Sequence, residues 1–218
     1  DTGMRFLPLI WSNLLRKKVR SVLTILSVLV AFILYGYLCA VERALDQGVS
    51  MAGADRLLVR HRVSIGQVVP ESYLRRIAAI PGVREVSHAT WFGGIYKDPK
   101  NFFAQMAVLP EQYLRIYPEY VLPEAQKEAW FRNRTGAIVG RRTADRFGWK
   151  VGDRVPLQAT IWLRKEGELH WEFDIVGIYD GVDRGTDTTN FLFHYKYLDE
   201  ARRFGHGLVG WYMVRVAD

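Results

Sequence analysis

Apolar residues follow two patterns along this chain. From Ser21 to Val41, "SVLTILSVLVAFILYGYLCAV" runs without a charge. As a helix this run spans about 32 Å at ~1.5 Å per residue, close to the ~30 Å hydrocarbon core of a bilayer. Ser21, Thr24 and Ser27 can bond back to the preceding turn, and Tyr35 and Tyr37 sit near the end, where an aromatic belt lies. A buried core helix is usually shorter and keeps a polar face. A cleaved signal peptide has an apolar region of roughly 7–15 residues and a small-residue cleavage site. This run is longer and no such site follows it. The pattern predicts a retained transmembrane helix over residues 19–41.

Ahead of it, Leu7, Ile10, Trp11, Leu14 and Leu15 recur at helical spacing with Ser12, Asn13, Arg16 and Lys17 between them. Residues 4–18 therefore read as an amphipathic helix lying in the membrane interface, with membrane lipid as a partner; the alternative is a disordered tail with chance periodicity. The residues expected at the interface are Trp11, Leu14, Arg16, Lys17, Lys18 and Arg20. On the far side Glu42, Arg43 and Asp46 nearly cancel. The positive-inside rule then places the N-terminus in the cytoplasm and residues 42–218 outside it.

Beyond Glu42 the second pattern is that of a water-soluble α+β domain. Strands are expected at "RLLVRHRV" (56–63), "REVSHATWF" (84–92), "NFFAQMAVL" (101–109), "GAIVG", "TTNFLFHY" and "GWYMVRVA". "PESYLRRIAAIPGV" reads as a helix entered at Pro70-Glu71 and stopped at Pro81-Gly82. "EQYLRIY", "PEAQKEAWFRN", "RTADRFG" and "KYLDEARRF" read as short helices. Gly148 is the expected C-cap of the third, and Val151-Gly152-Asp153 a turn. "RVPLQATIWLRK" and "LHWEFDIVGIYD" flank Glu166-Gly167-Glu168 as a hairpin.

Composition sharpens this picture. The chain has 218 residues and a net charge of +7. Residues 1–20 hold five cations and one anion, +4 of that total, leaving +3 for the rest. The basic balance is thus mostly a topology signal, and nucleic acid is not an expected partner. The single cysteine, Cys39, lies in the apolar run, so the outer domain has no disulfide and is held by its core.

A search for chemistry finds little. His61, His88, His170, His194 and His206 lack metal-ligand spacing. Asp180, Asp183 and Asp187 in "YDGVDRGTD" read as a flexible loop, with a cation site as the alternative. "GAIVGRRT" departs from a phosphate loop in its glycine spacing and lacks the lysine. No catalytic residues, cofactor or metal are expected, and an enzyme is not.

Four stretches carry a resemblance. "WSNLLRKKVRSVLTILSVLVAF" is similar to the N-terminal signature of MacB-like and FtsX-like ABC transporter permeases. "IVGRRTADRFGWKVGDRVPL" resembles the family's small-residue strand, helical turn and Val-Gly-Asp entry, here at Gly140, Ala144, Gly148, Val151, Gly152 and Asp153. "FDIVGIYDG" resembles the following strand, with Gly177 in place, and "IPGVREV" the early helix-to-strand junction. The resemblance implies a periplasmic core domain in the bacterial inner membrane. Its porter-like part would comprise 42–135 and 190–218, with a β-rich insertion at 136–189. It also implies that the chain is the N-terminal portion of a longer permease. That permease would pair with a second copy or paralogue, be driven by a separate cytoplasmic ABC ATPase, and act on a substrate such as a lipoprotein, peptide or drug, or on a periplasmic partner protein. The rival expectation is a single-pass anchored scaffold or regulator of envelope enzymes, without transport. These motif positions, Gly140, Ala144, Gly148, Gly152, Asp153 and Gly177 among them, are expected to shape backbone rather than touch cargo.

Overall fold

The computed structural model describes residues 18–50, 55–64 and 66–217. The chain divides into two compact units, Asp1–Ala54 and Asp55–Asp218. In the first unit, helix α1 runs Lys18–Ser50. It contains a span, Lys18–Ala40, long and apolar enough to cross a membrane, with a mean hydropathy of 2.4. Its apolar side chains, among them Val22, Leu26, Val30 and Phe32, are exposed. A helix apolar all round and unburied needs a non-aqueous surrounding. Thr24 Oγ1 donates to Arg20 O at 3.0 Å and Ser27 Oγ to Thr24 O at 2.8 Å, so these hydroxyls are satisfied inside the helix. The helix continues past the expected boundary at Val41. Trp11, Leu14, Arg16 and Lys17 lie outside the described residues; Lys18 and Arg20 open α1.

The second unit is mixed α/β, as its sequence pattern predicts. Its strands are β1 (Arg56–Arg60), β2 (Val69–Pro70), β3 (Val83–Trp91), β4 (Gly94–Ile95), β5 (Gln105–Val108), β6 (Tyr120–Val121), β7 (Gly136–Gly140), β8 (Arg154–Ala159), β9 (His170–Gly181), β10 (Phe191–His194), β11 (Leu208–Val209) and β12 (Trp211–Val216). Its helices are α2 (Tyr73–Ala78), α3 (Pro110–Ile116), α4 (Glu124–Arg132), α5 (Arg141–Phe147) and α6 (Tyr195–Ala201). One sheet runs β1-β12-β3-β5-β10-β7-β9-β8-β4, with β6 on β9 and a separate β2-β11 pair. The β5/β10 and β7/β9 pairs are parallel; the rest are antiparallel. Residues 136–189 supply β7, β8 and β9 to this same sheet, between β10 and β4.

Both faces of the central strands are covered. On β10, Phe191 and Phe193 join one core with Phe92, Trp171 and Phe173. Leu192 points into the other, with Tyr113, Ile116 and Trp130 from α3 and α4. Successive side chains of a strand face opposite ways, so an unbroken apolar strand such as "FLF" needs a layer on each side. Hairpin strand β8 is covered on one face only and alternates exposed and buried from Arg154 to Ala159.

Strand β9 changes face partway along. Trp171, Phe173 and Ile175 enter the first core, whereas Tyr179 enters the second. The cause is a bulge. Ala137 pairs with Ile175 but Ile138 with Gly177, leaving Val176 as an extra residue. One inserted residue reverses the period-two alternation and redirects every side chain after it. Several elements are shorter than the sequence pattern predicts. Pro70 pairs in β2 rather than opening α2, β5 begins at Gln105 rather than 101, and β8 ends at Ala159. The segment after β8 is instead pinned by long-range bonds, from Trp162 Nε1 to Trp91 O at 2.8 Å and from Arg203 N to Leu163 O at 2.7 Å.

Candidate functional site

Gly140, Ala144, Gly148, Gly152, Asp153 and Gly177 belong to one structural unit, β7-α5-turn-β8 against β9. Gly140 ends β7 and caps α5. A Cβ there would lie 2.1 Å from Thr188 O, so backbone passes where a side chain would stand. Ala144 is buried under α5, and its carbonyl accepts from Trp149 N at 2.9 Å. Gly148 terminates α5 in the left-handed region, at φ 70°. Gly152, at φ 99°, turns the chain into β8, and Asp153 Oδ2 accepts from Lys150 N at 2.8 Å. This turn is fastened to β9: Gly152 N donates to Ile175 O and Ile175 N to Asp153 O, both at 2.8 Å. Gly177 follows the bulge residue. Its open side faces Leu122 and Ile138, while Ile178 N donates to Gln126 Oε1 of α4 at 2.9 Å. The six residues thus set backbone path, and none presents a reactive side chain.

The aspartates of "YDGVDRGTD" are occupied locally. Asp180 takes a bidentate pair from Arg141, at 2.9 Å to each oxygen, which holds its carboxyl below the usual range. Asp183 Oδ1 accepts from Gly185 N and Thr186 N, and Asp187 Oδ1 from Thr189 N and Oγ1. Among the described residues no group of three or more His, Cys, Asp or Glu could hold a metal ion.

A buried polar cluster was not legible as such. His88, on β3, is fully buried, and neither ring nitrogen has a hydrogen-bond partner among the described residues. It packs edge-on against Tyr195 of α6 at 4.4 Å and Tyr212 of β12 at 6.2 Å. Burial pulls its pKa down to about 4, so the ring is neutral. Glu71 Oε1 lies 4.0 Å from its Nε2, and with a neutral ring this is not an ion pair. Beside it the Arg202 guanidinium, also fully buried, donates from Nη2 to Leu208 O at 2.9 Å, to Tyr195 Oη at 3.3 Å and to Asp199 Oδ1. Burial alone would raise Asp199, but the Gly207 amide and Arg202 hold it below its ordinary value. Arg202 looked like one of a scattered pair of arginines. Its spacing from Tyr195 and Leu198, on the buried face of α6, was the available signal.

Two surfaces stand open. Edge strand β1 exposes Leu57, Leu58 and Val59. Beside it an apolar groove of about 410 Å³ is lined by Leu57, Val59, Ile77, Ile80, Val214 and Val216. A polar cleft of about 370 Å³ lies where β5 and β10 run into α3 and α6.

The fold is that of a known domain. The structure is similar to the periplasmic region of MacB from Actinobacillus actinomycetemcomitans, at TM-score 0.53 and 12% identity over 76% of each chain. It is also similar to the extracellular domain of the noncanonic ABC-type transporter YknZ from Gram-positive bacteria, at TM-score 0.49 and 10% identity, over 75% of this chain and 82% of that one. No family model and no curated protein matches the chain. At these identities the MacB likeness assigns the fold, and the function is inferred separately.

Proposed function

We propose that this chain is a permease subunit of an ABC transporter, anchored in the bacterial inner membrane by α1 with its N-terminus in the cytoplasm. The unit Asp55–Asp218 then works outside, as a periplasmic core domain. A separate cytoplasmic ATPase chain, acting on a permease dimer, moves that unit mechanically, and the unit expels or releases a substrate. The observation that carries this reading is the order of parts: an unburied span of mean hydropathy 2.4, then a unit with the fold of a MacB periplasmic region. The basic flank Arg16, Lys17, Lys18 and Arg20 supports the orientation. The backbone-setting role of Gly140, Gly148 and Gly152 suits a domain that moves as a rigid body rather than one that does chemistry. In the porter-like division, residues 136–189 form the inserted part, carried on the shared sheet.

Two measurements test this. In intact cells with a permeabilised outer membrane, external protease should remove residues 55–218 and leave α1 protected. Digestion only after lysis overturns the orientation. In the complete transporter, Trp11→Asp with Leu14→Asp should leave the outer unit folded while ATP hydrolysis no longer tracks export or partner activation. Wild-type coupling in that correctly inserted variant would leave the leader as a passive anchor and remove the mechanical role.

A further inference from the structure

The polar cleft lies at the carboxyl ends of the parallel neighbours β5 and β10, where Val108 and His194 are register partners. Each strand passes directly into a helix there, β5 into α3 and β10 into α6. In sheets with helical crossovers, the crevice beyond the carboxyl ends of parallel strands is where ligands lodge. At about 370 Å³ this one falls within the ~300–1,000 Å³ typical of small-ligand sites.

Its lining is unequal in charge. Arg132, Arg134 and Lys196 face it with a single acid, Glu111. Lys196 forms no salt bridge among the described residues. Among the described residues, the ion-pair partners of Arg132 and Arg134 are Glu128 and Glu200, both exposed carboxylates. Exposed pairs of this kind contribute about 0–1 kcal/mol, so an incoming anion can displace them. His194 adds a polar group at the floor. Its Nε2 lies 2.6 Å from Trp130 O, and since a carbonyl can only accept, that nitrogen carries the hydrogen. The other nitrogen, Nδ1, is left with its lone pair. Burial foremost, with the charges of Arg134 and Lys196, holds this imidazole below its ordinary pKa. Phe131 and Leu109 supply apolar wall.

We propose that this cleft is a binding site for a small ligand bearing a compact oxyanion, a phosphate or a carboxylate, gripped by Arg134 and Lys196. On binding, the anion replaces the Glu200 carboxylate on Arg134 and draws a proton onto Nδ1 of His194. The ring then becomes a second donor to the anion. Affinity accordingly rises as pH falls toward the ordinary histidine range.

The test is calorimetric titration of the full chain in detergent micelles with inorganic phosphate and, separately, with acetate, each against chloride at equal ionic strength. Saturable binding above the chloride control is expected for at least one. Phosphate alone assigns a phosphoryl ligand, and acetate alone a carboxylate ligand. Arg134→Ala with Lys196→Ala should weaken binding by about tenfold or more, as expected for lost charge-assisted hydrogen bonds. Glu200→Gln, which frees Arg134, should tighten it. Lowering pH from 8 to 6 should tighten wild-type binding, and His194→Gln should remove that dependence. All of these side chains but His194 are at the surface, and circular dichroism checks each variant's fold. No saturable binding of either anion, or binding unchanged in the Arg134/Lys196 double variant, overturns the proposal. An unchanged pH dependence in His194→Gln removes the histidine from it.

Discussion

At His88 the fold places a titratable ring where nothing solvates its charge. The groups around it are Glu71 ahead of α2, Tyr195, Asp199 and Arg202 from α6 and the turn after it, and Tyr212 on β12. Burial dominates; the Asp199 carboxylate pulls the pKa up, and the buried Arg202 charge pushes it down with the burial. The folded-state pKa of about 4 lies below the ordinary 6.5, so the unfolded chain binds the proton more readily between these values. The stability linked to His88 is therefore complete above about pH 6.5 and is lost as pH falls toward 4. From pH 7.5 to pH 5 the loss is about 2 kcal/mol. Glu71, raised mainly by burial, works in the opposite sense over part of that range, so a wild-type curve alone does not isolate the histidine. His88→Phe keeps an aromatic ring between Tyr195 and Tyr212 without a titrating group. Urea unfolding of both proteins at the two pH values should show the wild type losing about 2 kcal/mol more than the variant. Parallel losses would mean that His88 does not report protonation.

Elements differ in how plainly their sequences announce them, and the physical reason is range. Strand β8 was legible because "RVPLQA" alternates against a single core, and α5 because Gly148 marks its end in the left-handed region. The β9 bulge left a visible break at Ile175-Val176-Gly177, but its meaning depends on register with β7, far away in sequence. Strands β2, β4, β6 and β11 are two residues each, too short for any periodicity. The cationic cleft draws on Arg134, just ahead of β7, and Lys196, just past β10, which the antiparallel pairing of β7 with β10 brings together. The apolar run was the clearest signal of all, since the 23 residues from Lys18 to Ala40 are long and apolar enough to cross a membrane. Depth should matter along it. Val30 sits near the middle, and Val30→Arg should raise the apparent insertion cost by roughly 2.5–3.5 kcal/mol, while Val22→Arg, near the end, should cost much less because arginine can reach the interface. A translocon insertion assay compares the two directly. Equal costs would argue that α1 does not span.

Taken as a whole molecule, the unit Asp55–Asp218 closes on itself through its own strands and without a disulfide. Its first strand pairs with its last: β1 lies against β12 from Arg56↔Arg215 to Arg60↔Trp211, and β12 lies against β3 on its other side. The two ends are also tied by Arg215 Nε to Asp55 Oδ2 at 2.6 Å and by Val216 N to Asp55 O at 2.8 Å. The sole cysteine, Cys39, belongs to α1. What holds the unit is a sheet buried on both faces at its centre, with Trp130, Trp171, Phe173 and Phe193 fully buried. Residues 55–218 expressed alone should therefore unfold in one cooperative step, with far-ultraviolet dichroism and tryptophan fluorescence giving coincident transitions. Residues 55–207, which lack β11 and β12, should not. That truncation strips the partner from one edge of β3 and the whole of the partner from β1, leaves Leu57 and Leu58 without a sheet to belong to, and opens the second core at Met213. Non-coincident transitions in the longer fragment would show that α1 is part of the folding unit. A cooperative shorter fragment would show that the closing strand is dispensable, and that the junction of first and last strands does not hold the domain shut.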